Sequence, residues 1–316
     1  MPPARSSRGS RTGRTDRDRA DQGRTDRGRT DRDRTSASER RRRAPREAEP
    51  KRSRRRSELL GRILVAIPLA IATIIFNNIG GLPFALFIIA AGLICMHELY
   101  GLLAIWRPIA LIGFVAVALM VLVARSGSTA HVLEVAVAAV PVALLAVLIS
   151  DRRRPTIAIA GTLLGIYYVG FAFAHAELLR ELPHGNGVFL DVLIGTFVGD
   201  TGAYLGGRLF GRRPLAPTVS PNKTVEGLVC GMLVAILAVF LAGLYQTWLS
   251  QGHAILLGVA VAVIAPLGDL FESVIKRDAG VKDSGSVFGP HGGALDRLDG
   301  ALFAVVVGYY IWLAVH

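Results

Sequence analysis

The chain is 316 residues long, 52% of them apolar, with a mean hydropathy of +0.45 and a formal net charge of +12. That apolar share is above what a soluble domain of this size carries, which excludes an ordinary water-soluble enzyme and places the chain in a bilayer. The charge suggests nucleic acid only until it is divided by position, since residues 1–56 hold 21 Lys or Arg against 9 Asp or Glu and residues 57–316 hold 15 of each.

The first 56 residues repeat T-D-R-D-R and T-D-R-G-R with almost no apolar side chains. Too little surface is available there to offset the entropy of ordering, so a disordered, Arg-rich cytoplasmic tail is expected. No aromatic residue is interleaved for base stacking, which sets nucleic acid aside as a partner. The tail either touches anionic lipid headgroups beside the first span, at about 1 kcal/mol per basic residue near the surface, or stays solvated and only reinforces topology. A secretory signal peptide is not expected, because the first long apolar run begins near residue 63 and leads into further spans.

A helical span takes about 20 mostly apolar residues. Stretches of that kind follow at 61–77, 82–104, 108–124, 130–150, 156–174, 187–207, 227–247, 254–275 and 299–316, with the break at Trp106-Arg107-Pro108 open to being a kink. The expected fold is all-α, a polytopic membrane protein of about nine transmembrane helices forming one domain over 57–316. Cys95 and Cys230 lie singly in apolar runs and read as packing residues. With the tail in the cytoplasm, the even-numbered connections carry Arg107, Arg152, Arg153, Arg154, Arg208, Arg212, Arg213, Lys223, Lys276, Arg277, Lys282 and Arg297, against Arg125 and Arg180 on the other side. The positive-inside rule then puts the N-terminus and the polar loops in the cytoplasm and the C-terminus across the plasma membrane.

Ionisable groups within spans cost roughly 2.5–3.5 kcal/mol each at mid-bilayer on insertion scales and tend to mark function. Glu98, Asp200, Asp269 and Glu272 are so placed. Asp200 and Asp269 fall six or seven residues before the expected cytoplasmic ends of their helices, about 10 Å deep at 1.5 Å per residue, which suits a polar pocket open to the cytoplasm. The alternative for each is a snorkelling or helix-pairing carboxylate. His97-Glu98 either lines a lipid cleft or makes an interhelical hydrogen bond. Gly195, Gly199 and Gly202 form a small-residue face for packing within a protomer or between two, which leaves a homodimer open. Gly202, Gly206, Gly207 and Gly211 fit neither a Walker motif nor a dinucleotide fingerprint.

The most polar stretch between spans is Ser273 to Asp299, S-V-I-K-R-D-A-G-V-K-D-S-G-S-V-F-G-P-H-G-G-A-L-D-R-L-D. It sets Lys276, Arg277, Lys282 and Arg297 among Asp278, Asp283, Asp296 and Asp299, with one histidine and glycines that let backbone approach a ligand. Phosphate groups and a hard divalent cation need that mixture. Lys223, Lys276, Arg277, Lys282 and Arg297 are candidate phosphate contacts, arginine as a forked donor and lysine as a point charge. His291 has no second His or Cys at zinc-ligand spacing, and reads as a phosphate donor or a support for the Gly292-Gly293 turn. Arg208, Arg212 and Arg213 read as positive-inside anchors.

The order serine, two residues, Lys-Arg, four residues, Lys-Asp, then His-Gly-Gly, two residues, Asp-Arg, one residue and Asp resembles the signature of the phosphatidate cytidylyltransferases, or CDP-diacylglycerol synthases. The resemblance extends to Asp200 with Ala203-Tyr204 and Gly206-Gly207-Arg208, to Ser220-Pro221-Asn222-Lys223-Thr224-Val225-Glu226-Gly227, and to Gly268-Asp269. It departs at Gly289-Pro290, where Pro-Gly is common, at Asn222, where lysine is frequent, and at Gly300, where serine is usual. It implies an enzyme joining CTP and phosphatidate into CDP-diacylglycerol and pyrophosphate at a Mg²⁺ centre, with room for a second cation. It further implies Asp269 and Asp296 as the metal ligands, with Asp200, Asp283 and Asp299 as further candidates. The catalytic set is then Asp269, Asp296, Lys276 and Arg297. A general base is not required, because a lipid phosphomonoester is already an anionic nucleophile, so metal, cations and alignment carry the reaction. The rivals are a related membrane nucleotidyltransferase or lipid kinase acting on another lipid, and an ion-coupled transporter, which calls for paired broken helices and an internal repeat that is not apparent.

Overall fold

A computed structural model of the chain describes residues 67–150, 154–285 and 292–316. The expectations for the tail at 1–56, the start of the first span, Arg152, Arg153, Gly289-Pro290 and His291 lie outside these residues.

The helices are α1 (Ile67–Ile79), α2 (Gly81–Leu102), α3 (Ala110–Ala124), α4 (Thr129–Ile149), α5 (Pro155–Glu181), α6 (Gly185–Phe210), α7 (Val225–Gly243), α8 (Gln251–Asp278) and α9 (Leu295–Val315). Among the described residues seven are long and apolar enough to cross a membrane, whereas α1 and α3 are shorter apolar helices. The protein is thus a multi-pass membrane protein. Large apolar side chains such as Leu111, Leu148, Ile149 and Leu209 point outward, as they do where lipid replaces water.

Between helices the contact is made by small residues. Gly195 of α6 meets Val239 and Val261, Gly199 meets Ala235, Gly202 meets Val234 and Gly206 meets Cys230, and a Cβ added at Gly202 would lie 2.7 Å from Val234 Cβ. The small-residue face therefore packs α6 onto α7 within the chain. A polar tie fixes the other half: Tyr100 Oη donates to Thr162 O at 2.9 Å, and Thr162 Oγ1 accepts the Ile109 N–H at 2.8 Å. This holds the turn after α2, a short 3-10 segment at Ala104–Trp106 followed by Arg107 at φ 52°, so the break at Trp106-Arg107-Pro108 is a turn between separate helices.

Three features differ from the reading of the sequence. A two-stranded antiparallel hairpin, β1 (Pro214–Ala216) and β2 (Ser220–Thr224), interrupts the all-helical pattern. Pro217 presets its turn, closed by Val219 N–H donating to Ala216 O at 3.2 Å. Next, α6 and α8 continue to Phe210 and Asp278, so Asp200 and Asp269 sit nine or ten residues from the helix ends, about 14 Å along the axis rather than 10. Polar termini carry these helices past their apolar stretches. Finally, α9 begins at Leu295, which puts Asp296 and Arg297 in its first turn rather than in a loop. A carboxylate is stabilised at a helix N-terminus by the macrodipole, a term invisible to a search for apolar runs.

Candidate active site

The spine of the site is α8, whose Asp269, Glu272, Ser273 and Lys276 are spaced i, i+3, i+4 and i+7 and so share a face. The helix lies against α9 almost backbone to backbone: a Cβ on Gly268 would fall 2.5 Å from Asp299 O and 3.2 Å from Gly300 Cα. That approach needs glycine at 268, and it brings the carboxylates of the two helices into one region.

Two acid–lysine groups result. In the first, Lys223 reaches across from β2 and pairs with Asp269, the side chains 28% and 29% exposed. Lys223 is delivered there by local structure: Thr224 Oγ1 caps α7 by accepting the Gly227 N–H at 3.1 Å. Glu226 Oε2 accepts the backbone N–H groups of Arg212 and Arg213 at 3.0 and 3.1 Å. The run S-P-N-K-T-V-E-G thereby becomes strand, cap and latch. Asp200 from α6 interacts electrostatically with both Asp269 and Lys223, and Asp299 with Asp269, Glu272 and Asp200.

In the second group Lys276 pairs with Glu272, one turn back on its own helix, and with Asp296 Oδ1 at 2.7 Å. Glu272 is fully buried, and Lys276 and Asp296 nearly so. The other oxygen of Asp296, Oδ2, accepts the N–H groups of Ser284 at 2.9 Å and Gly293 at 2.8 Å. Ser273 Oγ lies 3.5 Å from Asp269 Oδ1, between the groups.

The remaining candidates are spread around this centre. Arg277 donates through Nε to Val219 O at 3.0 Å and through a terminal nitrogen to Val281 O at 3.3 Å, tying the hairpin turn to the end of α8. Lys282 and Asp283 are exposed on the segment after α8, and Arg297 is half-buried in the first turn of α9. Of the His97-Glu98 pair, Glu98 is buried and makes the interhelical hydrogen bond, joining α2 to this region, while His97 is exposed.

Sequence reasoning gave Glu272 no role and passed over Tyr168. The Tyr168 ring packs edge-on against Phe271 and Phe303, with centroids 4.9 and 5.9 Å away, and the residue lies in the field of Asp299, Glu272 and Asp269. It is turned there by a single π-helical turn in α5, Ile166–Gly170, a deviation that recurs at functional sites. Nothing in an apolar run containing I-Y-Y-V-G marks it beforehand. Asp191, hydrogen-bonded to Gln246 at 2.9 Å, and Glu177, 4.0 Å from Arg125, are further buried acids that the sequence did not single out, and neither belongs to the two groups.

No group of three or more His, Cys, Asp or Glu side chains poised to hold a metal forms among the described residues. Mg²⁺ does not need one, since one or two carboxylates commonly hold it together with substrate phosphates and water. Around α8 lie five carboxyl groups (Asp200, Asp269, Glu272, Asp296, Asp299), all oxygen donors, and Asp269 is partly open. That donor set fits a hard divalent cation.

Residues 60–315 match the model of the cytidylyltransferase family. The chain is 30% identical over 261 residues to the phosphatidate cytidylyltransferase of Bacillus subtilis, a match covering 79% of this chain and 96% of that protein. It is 34% identical over 257 residues to the enzyme of the same name from Staphylococcus haemolyticus, covering 77% and 95%. A shorter match, 41% over 137 residues, links it to the phosphatidate cytidylyltransferase of Haemophilus influenzae, covering 42% and 48%. The family match takes in the whole helical region with both acid–lysine groups inside it, and the chain belongs to the cytidylyltransferase family.

Proposed function

We propose that this protein transfers a cytidylyl group from CTP to phosphatidate, giving CDP-diacylglycerol and pyrophosphate. The observation that carries the reading is the paired arrangement Lys223–Asp269 and Lys276–Asp296 along α8, in a chain of this family whose similar proteins are named phosphatidate cytidylyltransferase.

In the transfer, an oxygen of the lipid phosphate forms a bond to the α-phosphorus while the bond from that phosphorus to the pyrophosphate oxygen breaks. No proton has to move. What the chain supplies is alignment and positive charge. Lys223, on a short hairpin and partly exposed, can exchange Asp269 for a phosphate oxygen without a change of fold. Lys276 is fixed between Glu272 and Asp296 and contributes a stationary charge. Arg277, Lys282, His291 and Arg297 are the further phosphate contacts. Asp269 and Asp296 are the residues that would hold Mg²⁺, with Asp200, Asp283 and Asp299 as additional oxygen donors; bound there, the ion would offset the charge of the triphosphate and the departing pyrophosphate.

The active-site loops and N-terminus are placed in the cytoplasm and the C-terminus on the opposite side of the plasma membrane, on the strength of the loop charges. On that topology the basic tail would be open to attraction by anionic headgroups.

The test is Mg²⁺-dependent pyrophosphate release by the purified protein in detergent with CTP and phosphatidate, alongside Asp296→Asn. Release that needs both substrates and is lost in the variant is expected. With a lipid alcohol in place of phosphatidate, release of CDP would replace this reading by a lipid kinase and release of pyrophosphate by another nucleotidyltransferase, and a folded protein inactive on both lipids would overturn it.

A further inference from the structure

We propose that Glu98, in the second helix, is a positioning residue for this reaction: it holds the Leu295 amide just before Asp296 and the hydroxyl of Ser284, whose own amide binds Asp296, so that Asp296 and Lys276 meet. The proposal rests on the cytidylyltransferase reading for its effect on turnover, but not for its geometry.

Glu98 is 4% exposed and reaches residues almost two hundred positions away. Its Oε2 accepts the Leu295 N–H at 2.8 Å and the Ser284 Oγ–H at 3.3 Å. Two glycines make room for the carboxylate, since a Cβ on Gly285 would fall 2.6 Å from Oε1 and one on Gly293 would fall 2.7 Å from Cδ. The same short stretches bind Asp296, whose Oδ2 takes the Ser284 and Gly293 N–H groups. Ser284 is therefore held twice, by its hydroxyl to Glu98 and by its amide to Asp296. Gly293 is wedged between the two acids. Leu295 immediately precedes Asp296, and its N–H is one of the orphan donors at the start of α9, so its bond to Glu98 fixes the peptide from which the Asp296 side chain projects. With Leu295 and Ser284 released, Asp296 would keep its charge but lose the frame that aims Oδ1 at Lys276.

Glu98 acts through other residues. Its Oε2 is engaged by Leu295 and Ser284, and its bonds lie on the Asp296 side of the site rather than with Lys223 and Asp269. A glutamine retains one acceptor oxygen for the Leu295 N–H and should largely replace it, whereas alanine should not.

The experiment compares full-length wild type, Glu98→Ala, Glu98→Gln and Ser284→Ala in detergent, reading amide hydrogen exchange at Gly293 and Leu295 together with kcat and KM for CTP and phosphatidate. For Glu98→Ala, exchange at both amides should rise and kcat should fall about ten- to hundredfold, the range seen when supporting residues of a site are removed, with KM for phosphatidate little changed. Glu98→Gln should restore both readouts to within about threefold, because the accepting oxygen is kept. Unchanged exchange or unchanged kcat in Glu98→Ala overturns the proposal, as does a glutamine variant as impaired as alanine in a folded protein. Should Glu98→Ala fail to fold, Ser284→Ala carries the test, since it removes one of the two donors. Faster exchange at Gly293 with a lowered kcat supports the proposal, and wild-type behaviour in both sinks it. If wild type turns over neither substrate, the cytidylyltransferase reading falls while the exchange data still decide whether Glu98 holds this backbone.

Discussion

Lys276 and Asp296 meet across two helices, with Nζ 2.7 Å from Oδ1, and Glu272 closes on the same nitrogen from one turn earlier in α8. One ammonium thus serves two acids that are almost completely withdrawn from solvent. Breaking such a set from the cationic side leaves charges with nothing to compensate them, which typically costs about 3–5 kcal/mol. Lys276→Met is expected to lower stability by about that amount in thermal unfolding in detergent, and Lys276→Met/Glu272→Gln to recover part of it. A single variant as stable as wild type would mean that the acids are neutralised by something other than Lys276.

The Lys223–Asp269 pair has the opposite character. Its side chains are 28% and 29% exposed, and a partly solvated pair contributes about 0–1 kcal/mol. Asp269→Asn should therefore leave the unfolding midpoint nearly unchanged while reducing cytidylyl transfer by about a hundredfold or more, the loss expected when the cation that this carboxylate would hold against the reacting phosphates is no longer fixed. Loss of stability comparable with Lys276→Met would assign Asp269 to the framework instead.

Part of the site was legible in the sequence where polar residues interrupt apolar ones: Asp269 and Lys276 stand out because a bilayer leaves little other use for them, and Asp296 because it lies in the densely charged stretch before the last span. What the sequence could not convey was pairing. Leu295 N–H and Glu98 Oε2 are 197 residues apart in the chain, and no periodicity links them. The start of α9 was misplaced because Leu295, Asp296 and Arg297 read as loop by hydropathy, while the helix terminus and its backbone donors favour an acid there. The hairpin at 214–224 and the π turn at Ile166–Gly170 are short departures that tertiary contacts impose on sequences of weak local preference.

Helix packing gives a third test. Gly202 faces Val234, and a Cβ there would lie 2.7 Å from Val234 Cβ, closer than side chains tolerate. Gly202→Ala should cost about 1–3 kcal/mol through overpacking, and Val234→Ala in the same chain should restore much of it. Additive losses, read from detergent unfolding midpoints, would show that α6 and α7 separate rather than repack.

Sidedness decides whether CTP reaches the site directly. Arg125 approaches Glu177 at 4.0 Å, joining the α3–α4 turn to the last turns of α5, while Lys276, Asp278 and Lys282 belong to the end of α8 and the segment after it. In a chain carrying Cys95→Ala and Cys230→Ala, a cysteine at exposed Ser126 should react with an impermeant maleimide on intact cells, and one at exposed Asp278 only after permeabilisation. Both cysteines of the natural chain are free, Cys95 buried and Cys230 partly so, so their removal eliminates background labelling at the cost of small packing changes. The reverse labelling pattern would place the acid–lysine groups on the far side of the membrane from cytoplasmic nucleotide, and the basic residues around α8 would then need another explanation than the positive-inside rule.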